Sequence, residues 1–348
     1  MKVVIVGPGA LGCLLAARLH VAARGRSVAL LDYDPARAAL LNRQGIILED
    51  EESGGPGDQS PDPGRAAPFS PPAAMVVDHG AQPEAMVPVS TDPAMVADAD
   101  LVLLCVKAPA FATALDTIAP LLPPSSLLLA LQNGISHLEI LNARKLSCAW
   151  GLGISTEGAN LRGPGRVRSG GAGLTELGFT QPPTPEARRR LNDAVELLNH
   201  AGLRTTSCPD IIGRLWRKLI INAGINALSV IHDCPNGRLL EIPAARQAMA
   251  AAVREAAAVA GAVGVELTED PVTLVEEICR QTATNISSML QDIRRGKTTE
   301  IEAINGAIVR LAARHRMAVP VNHDLLTSIV ERQRRPGPKK IAEKVFSQ

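Results

Sequence analysis

The sequence predicts an α/β protein in which an N-terminal domain built on a parallel sheet is followed by an all-α domain. Short apolar runs alternate with helical patterns up to Leu131, as expected for strands that helices cover on both faces. Beyond about residue 210, strand patterns nearly vanish and long helical patterns replace them. We therefore predict two domains, residues 1–209 and 210–348.

Composition narrows the possible functions. The 348 residues suit two domains, and 46% hydrophobic residues are enough for a core. Lys plus Arg is 36 and Asp plus Glu is 35, so the net charge of +1 offers no general attraction for nucleic acid or membrane. The six cysteines form no CxxC pair, which argues against a metal site. Without a leader pattern or a long apolar run, we expect a cytoplasmic protein.

The first elements form a β-α-β unit. Residues 2–6 are a β-branched run that indicates a buried strand. A helical pattern covers Ala10 to about Ala23, a second strand covers Ser27–Leu31, and a second helix covers Pro35–Arg43.

The rest of the first domain contains an insertion and more strands. Residues 51–86 are rich in Gly, Pro, Ser and Asp without a period, which predicts a disordered or loosely attached insertion. Continuous apolar runs at 100–106 and 126–131 predict buried parallel strands. The glycine-rich stretch 151–180 predicts hairpins that complete the domain.

A glycine-rich turn joins the first strand to the first helix. Its sequence is G-P-G-A-L-G, in which the three glycines allow a tight turn, close approach of a pyrophosphate and close helix–strand packing. The helix N-terminus adds free N–H groups and a positive dipole end. An ordinary strand–helix turn is the alternative. We predict a Rossmann-type domain whose dinucleotide-binding turn is Gly7, Pro8, Gly9, Ala10, Leu11 and Gly12.

Asp32 ends the second strand, 20 residues after Gly12. An acidic residue there can accept hydrogen bonds from the adenosine ribose, which favours NAD(H) over its 2′-phosphorylated form. Asp34 could take the same role, and Arg37 could still reach a phosphate. Alternatively, the two aspartates only form the turn and the N-cap before the second helix.

Polar residues follow two of the predicted strands. Lys107 directly follows the 100–106 strand, and Asn133 follows the 126–131 strand. Open α/β sheets bind ligands at the carboxyl ends of their strands, so both residues are candidates for a site there. A solvated surface lysine is the alternative for Lys107.

The second domain is predicted to be helical. Its charged tail, residues 332–344, is expected to be a solvated end, and a nucleic-acid arm is a weaker interpretation. The predicted helices are Ile211–Ile231, Ala244–Val263, Pro271–Ser288, Glu300–Arg316 and a shorter one over Asn322–Gln333.

Two groups of polar residues interrupt apolar helix faces. Lys218, Asn222 and Asn226 are four residues apart and form one stripe on a helix that is otherwise apolar. Buried polar groups without partners cost about 1–3 kcal/mol each, so a bound polar ligand would explain them. A stripe facing water is the alternative. Glu300 extends the apolar face of its predicted helix and needs a cation or a donor, or gains from the helix dipole.

These segments together resemble the ketopantoate reductases (2-dehydropantoate 2-reductases). The match covers nearly the whole chain except residues 51–86 and the tail, and the last two blocks are the specific ones. The matching blocks are GPGALG at 7–12, VKA at 106–108 with LQNG at 131–134, WRKLIINAGINALS at 216–229, and SSMLQDIRRGKTTEIEAINGAIVR at 287–310.

The resemblance implies an active site between a Rossmann domain and a helical domain. It implies reduction of 2-dehydropantoate to (R)-pantoate by NAD(P)H, on the route to pantothenate and coenzyme A. Lys218 matches the catalytic lysine, the expected proton donor, and Glu300 matches the active-site glutamate. The positions that would hold substrate or cofactor are Asn133, Asn222, Asn226 and Ser288, with Lys107, Asn133 and Glu300 at the cofactor.

One departure keeps the cofactor open. Family members that use NADPH commonly have an arginine just after the second strand, where this chain has Asp32-Tyr33-Asp34. NADP(H) is thus the expectation from the family, and NAD(H) is a hypothesis from Asp32. A reductase of another small 2-keto acid, or an inactive nucleotide-binding regulator, are alternatives. The presence of both Lys218 and Glu300 argues against the regulator, and a homodimer stays possible.

Overall fold

The computed structural model describes residues 1–22, 27–49, 85–171 and 173–334. Eleven strands lie in its first part and are followed by helices, in agreement with the predicted α/β class. The strands are β1 (Val3–Val6), β2 (Val28–Leu31), β3 (Ile47–Glu49), β4 (Val89–Ser90), β5 (Leu101–Leu104), β6 (Leu127–Ala130), β7 (Ala149–Ser155), β8 (Ala159–Gly163), β9 (Arg166–Ser169), β10 (Thr175–Gly178) and β11 (Thr205–Ser207).

The helices are α1 (Ala10–Ala22), α2 (Pro35–Gln44), α3 (Phe111–Ile118), α4 (Ser136–Ala143), α5 (Pro185–His200), α6 (Ile211–His232), α7 (Arg238–Glu241), α8 (Pro243–Ala262), α9 (Pro271–Gln281), α10 (Ser288–Arg294), α11 (Asn305–Arg314) and α12 (Pro320–Arg334). The helices α1, α2, α6, α8 and α12 lie close to their predicted bounds, whereas α3, α4, α5 and α7 were not predicted.

The main sheet has the strand order β11-β10-β7-β6-β5-β1-β2-β4. The six strands from β7 to β4 in this order pair in parallel. Strand β10 pairs antiparallel with β7 and parallel with β11, so β10 and β11 run in the opposite direction. Strands β1, β2, β5 and β6 are fully buried, because both faces of the sheet are covered. Strands β8 and β9 form the predicted hairpin, which pairs with β3 in a second, smaller sheet.

Helix α6 is the central element of the helical part. Asp210 caps its N-terminus by accepting a hydrogen bond from the Gly213 N–H at 2.9 Å. Helices α8, α9, α10 and α12 pack around it, and it also contacts β7. One hydrophobic cluster continues from the sheet, with Val102 and Leu128, into α6 at Leu219. This shared core fixes α6 against the sheet.

The prediction of a single helix over Pro271–Ser288 is wrong. Helix α9 ends at Gln281, and α10 begins only at Ser288. Between them, the carbonyls of Ala283 and Asn285 accept hydrogen bonds from the N–H groups of Gly237 and Asn236. These long-range bonds draw the backbone out of the helix, and no local sequence pattern reports them.

The prediction of a continuous helix over Glu300–Arg316 is also wrong. A 3₁₀ turn covers Ile301–Ala303, and α11 begins at Asn305. The Ala303 carbonyl accepts a hydrogen bond from Ile135 N of the first part, and it lies against Gly134, whose backbone has φ +77°. Because this carbonyl points at the sheet domain, it is not available to continue an α-helix. Glu300 therefore precedes a turn and is not part of a helix face.

The predicted insertion lies almost wholly outside the described residues, as do residues 335–348 of the tail. Of the predicted 51–86 segment, Ala85 pairs with Ile46 through two backbone hydrogen bonds and is buried. The described chain thus resumes at Ala85, within the predicted segment. No helix in the described part of the chain is both long and apolar enough to span a bilayer.

Candidate active site

The glycine turn has the geometry of a pyrophosphate cradle. Gly7 has φ +101°, and a Cβ on Gly12 would lie 2.1 Å from the Gly7 carbonyl oxygen. At Gly9 a Cβ would meet nothing nearer than 4.0 Å, so this position borders open space. The first helical bond runs from Cys13 N to Gly9 O, which leaves the N–H groups of Ala10, Leu11 and Gly12 for a ligand. These features fit a dinucleotide phosphate.

Asp32 lies at the carboxyl end of β2 and forms an ion pair that the sequence did not reveal. Its buried carboxylate accepts hydrogen bonds from both Arg37 Nε, at 2.7 Å, and Arg37 Nη2. The same arginine stacks over the Tyr33 ring at 4.9 Å. Asp34 caps α2 by accepting from Ala36 N at 2.9 Å, which matches the N-cap alternative. The Asp32 carboxylate is therefore already neutralised.

Lys107 and Asn133 lie at the carboxyl ends of β5 and β6, as predicted. Gln132, which is buried, donates to the carbonyls of Leu104 and Val106 and ties the two strand ends together. Lys107 Nζ forms an ion pair with Asp292 Oδ1 at 2.6 Å, across the cleft between the sheet and the helical part.

Glu300 joins both parts of the chain. Its Oε1 accepts a hydrogen bond from Ala108 N at 3.2 Å, and its Oε2 accepts one from Asn133 Nδ2 at 2.8 Å. Both donors belong to the strand ends of the sheet. Glu300 thus finds the donors that the sequence argument required, although in a turn and not on a helix.

Lys218 lies on α6 and points toward the sheet. Its Nζ donates a hydrogen bond to the Ser155 carbonyl, at the end of β7, at 2.7 Å. Burial lowers the pKa of Lys218 to about 8, and the Glu300 carboxylate opposes this by raising it. An ammonium with such a pKa can give up its proton near neutral pH.

The remaining stripe residues, Asn222 and Asn226, follow Lys218 along α6. Asn226 is buried, and Asn222 is partly buried. Ser229 Oγ lies 2.6 Å from Ser287 Oγ, and Ser287 caps α10 by accepting from Leu290 N. Because Ser287 performs the capping, the hydroxyl of the exposed Ser288 stays available for a ligand.

Sequence reasoning missed three partners of these residues. The Ser155 carbonyl has no signal in a sequence, since every residue carries one. Gln132 stood inside the LQNG block and could have been singled out as a polar residue in a buried run. Asp292 could have been singled out from the sequence, because it is a carboxylate within the specific SSMLQDI block. Its partner cation is Lys107.

A separate cavity of about 360 Å³ lies at the start of α6. Its two arginines, Arg214 and Arg217, form ion pairs with Glu176 and Glu269. Their charges are therefore largely compensated within the protein, which makes this cavity a weaker candidate for an anionic ligand than the cleft. Among the described residues, no cluster of three or more His, Cys, Asp or Glu is placed to hold a metal ion.

Comparisons with known proteins agree with this architecture. Residues 3–182 match the family model "Ketopantoate reductase PanE/ApbA", and residues 210–333 match "Ketopantoate reductase PanE/ApbA C terminal". The chain is 31% identical over 321 residues to a 2-dehydropantoate 2-reductase of Halobacterium salinarum, covering 92% of this chain and 95% of that protein. A 2-dehydropantoate 2-reductase of Vibrio cholerae is 29% identical over 94% of this chain and 97% of its own length.

Solved structures are also similar. A PanE/ApbA family ketopantoate reductase from Ralstonia eutropha superposes with a TM-score of 0.79 at 30% identity, covering 96% of this chain and 98% of that one. A D-mandelate dehydrogenase in a ternary structure with NADH and anilino(oxo)acetate has a TM-score of 0.77 at 26% identity, with the same coverage.

The parallel sheet with its glycine turn, joined to a helical C-terminal part that carries Lys218, defines a Rossmann-type oxidoreductase. Within that class, the two matched segments extend over most of the sequence. The chain belongs to the ketopantoate reductase family.

Proposed function

We propose that this protein reduces 2-dehydropantoate to (R)-pantoate with a reduced nicotinamide dinucleotide. The observation that carries the proposal is the position of Lys218, a partly buried ammonium between the Ser155 carbonyl and the Glu300 carboxylate. Names of similar proteins and the geometry of the glycine turn support the same activity. We keep residue 209 as the proposed division between the cofactor domain and the catalytic domain.

The bound cofactor supplies a hydride from nicotinamide C4 to the carbonyl carbon of the substrate. Negative charge then develops on the carbonyl oxygen, and the Lys218 ammonium both stabilises it and donates a proton to it. The product is an alcohol, and the neutral Lys218 amine takes a proton from solvent. Its lowered pKa makes this transfer easier than from an ordinary lysine.

The negative charge of Glu300 favours the protonated form of Lys218, and its carboxylate fixes the cleft through Asn133 and Ala108 N. We propose that Asn222, Asn226 and Ser288 donate hydrogen bonds to the carboxylate and hydroxyl of the substrate. The glycine turn, Lys107 and Asn133 would hold the cofactor.

The two candidate cofactors differ by one phosphate on the adenosine ribose. The Asp32 argument for NADH depends on a free carboxylate, but Arg37 neutralises it. The family resemblance favours NADPH, which we propose as the preferred cofactor. The NADH found with D-mandelate dehydrogenase keeps NADH as the alternative.

The test is oxidation of NADPH by 2-dehydropantoate, followed at 340 nm, for the wild type and Lys218→Ala. We expect a loss of about 10²-fold or more in kcat for the variant. The control is Lys145→Ala, which removes an exposed lysine of the sheet domain and should keep full turnover. Unchanged turnover in a folded Lys218→Ala protein would exclude the proposed proton donor.

A second candidate substrate is an aryl 2-keto acid, because of the similarity to D-mandelate dehydrogenase. The chain has only seven aromatic residues, and none of the proposed substrate-binding residues, Asn222, Asn226 and Ser288, offers a ring for an aryl group. A comparison of kcat/KM for 2-dehydropantoate and benzoylformate decides between them, and we expect the former to be much larger.

A further inference from the structure

The loop 295–299, which we call the crossing loop, joins α10 to the 3₁₀ turn after Glu300 and lies across the cleft. At its two ends, Asp292 pairs with Lys107 and Glu300 accepts from Ala108 N. Lys107 Nζ also lies 3.5 Å from the Thr298 carbonyl. The crossing loop is therefore held against the carboxyl end of β5.

A third contact extends the crossing loop toward the glycine turn. Arg295 donates a hydrogen bond to Asn160 Oδ1 on β8, and β8 packs against α1, the helix that the glycine turn opens. Between Lys107 on one side and Asn160 on the other, the loop thus spans from the end of β5 to the strand that packs against the helix of the glycine turn. Lys297 occupies the middle of this loop and is exposed.

Lys297 is surrounded mainly by other cations. Partial burial of its stem lowers the pKa of this otherwise exposed lysine, the positive charges of Lys107, Arg295 and Arg37 lower it further, and the Asp292 carboxylate raises it. Together with Asp32, this set holds four cations and two carboxylates, an excess of two positive charges. Such a concentration of like charge is unfavourable unless an anion binds there.

The position of Arg37 identifies which anion fits. Arg37 follows β2, the strand end at which a dinucleotide places its adenosine ribose. Because the charges of Asp32 and Arg37 cancel, Lys297 makes the net charge at the end of β2 positive. A phosphate monoester, with about two negative charges, suits that environment.

We propose that Lys297, from the helical domain, binds the adenosine 2′-phosphate and makes the protein selective for NADPH in spite of Asp32. The proposal rests on the proposed function for the identity of the ligand. In this arrangement, Lys297 from the helical domain takes the place of the arginine that NADPH-using family members commonly have after the second strand.

The experiment measures dissociation constants by calorimetry for NADPH, NADH, ADP-ribose and 2′-phospho-ADP-ribose, without any substrate. For Lys297→Ala we expect binding of the two 2′-phosphorylated ligands to weaken about tenfold or more, and binding of the other two to change less than twofold. Lys297→Arg should retain most of the affinity. The matched control is Arg294→Ala, which removes a nearby cation that pairs with Asp233.

Three results would overturn the proposal. Equal weakening of all four ligands would assign Lys297 to the shared pyrophosphate, and no weakening would remove it from the site. A wild type that binds none of the dinucleotides would overturn the proposed function itself. Because no turnover is measured, a failure to reduce 2-dehydropantoate leaves this test intact.

Discussion

Asn133 Nδ2 donates a hydrogen bond to Glu300 Oε2 at 2.8 Å and thereby joins the end of β6 to the helical domain. The other carboxylate oxygen accepts from Ala108 N, so the sheet domain holds both oxygens. A charge fixed in this way acts on Lys218 through space and needs no direct contact with it. Elements that are distant in sequence thus place the carboxylate that opposes the effect of burial on the pKa of Lys218.

The first prediction concerns the pH dependence of turnover. The pKa of Lys218 is lowered to about 8, so its protonated, active form declines as pH rises through about 8, and kcat/KM should fall with it. Glu300 raises this pKa, and Glu300→Gln should therefore move the fall to lower pH. The measurement is kcat/KM from pH 6 to 10 for both proteins.

The control for that prediction is Glu302→Gln, which removes an exposed carboxylate that pairs with Arg310. Its profile should match the wild type. If the Glu300→Gln profile also matched the wild type, the charge of Glu300 would not act on the proton donor.

The second prediction separates two glycines of the turn. In Gly9→Ala the new methyl group meets only open space, so the melting temperature should change little while dinucleotide binding weakens. In Gly12→Ala the methyl group would lie 2.1 Å from the Gly7 carbonyl oxygen, which should cost about 1–3 kcal/mol of stability. Thermal unfolding and calorimetry measure the two effects, and equal destabilisation by both variants would contradict the described turn.

The third prediction concerns the Asp32–Arg37 pair. Arg37→Ala leaves a buried carboxylate without its cation and should destabilise the protein by about 1–3 kcal/mol. Adding Asp32→Asn to that variant removes the unpaired charge and should recover part of the loss. Urea unfolding of the single and double variants measures this coupling. A double variant less stable than Arg37→Ala would show that the pair is not the source of the effect.

Much of the fold was predictable because buried strands leave a local signal. The apolar runs of β1, β5 and β6 and the polar stripe on α6 are visible in the sequence itself. The break between α9 and α10 was not, because it depends on hydrogen bonds to Asn236 and Gly237, about 50 residues away.

The candidate site was predictable only in part for the same reason. The types of its residues were visible, since lysine and amides stand out on an apolar helix. Their partners were not visible, because the contacts form only in the folded chain. Folding brings the Ser155 carbonyl to Lys218 and the Arg37 guanidinium to Asp32.

The last prediction concerns His137, near the start of α4. It is 1% exposed, its ring packs edge-on against Phe111, and neither ring nitrogen has a hydrogen-bond partner among the described residues. Burial lowers the pKa of His137 to about 4, below its usual value near 6.5. The folded protein therefore resists the proton that the unfolded chain accepts.

This difference makes His137 a source of acid sensitivity. Its neutral form is compatible with folding above about pH 6.5, and stability should be lost as pH falls from there toward about 4, by up to about 3 kcal/mol. In His137→Leu that part of the loss should disappear, whereas substitution of the exposed His315 by Gln should keep it. Urea unfolding at a series of pH values measures both. Parallel stability curves for His137→Leu and the wild type would show that another group titrates, because a buried neutral histidine is required for the difference.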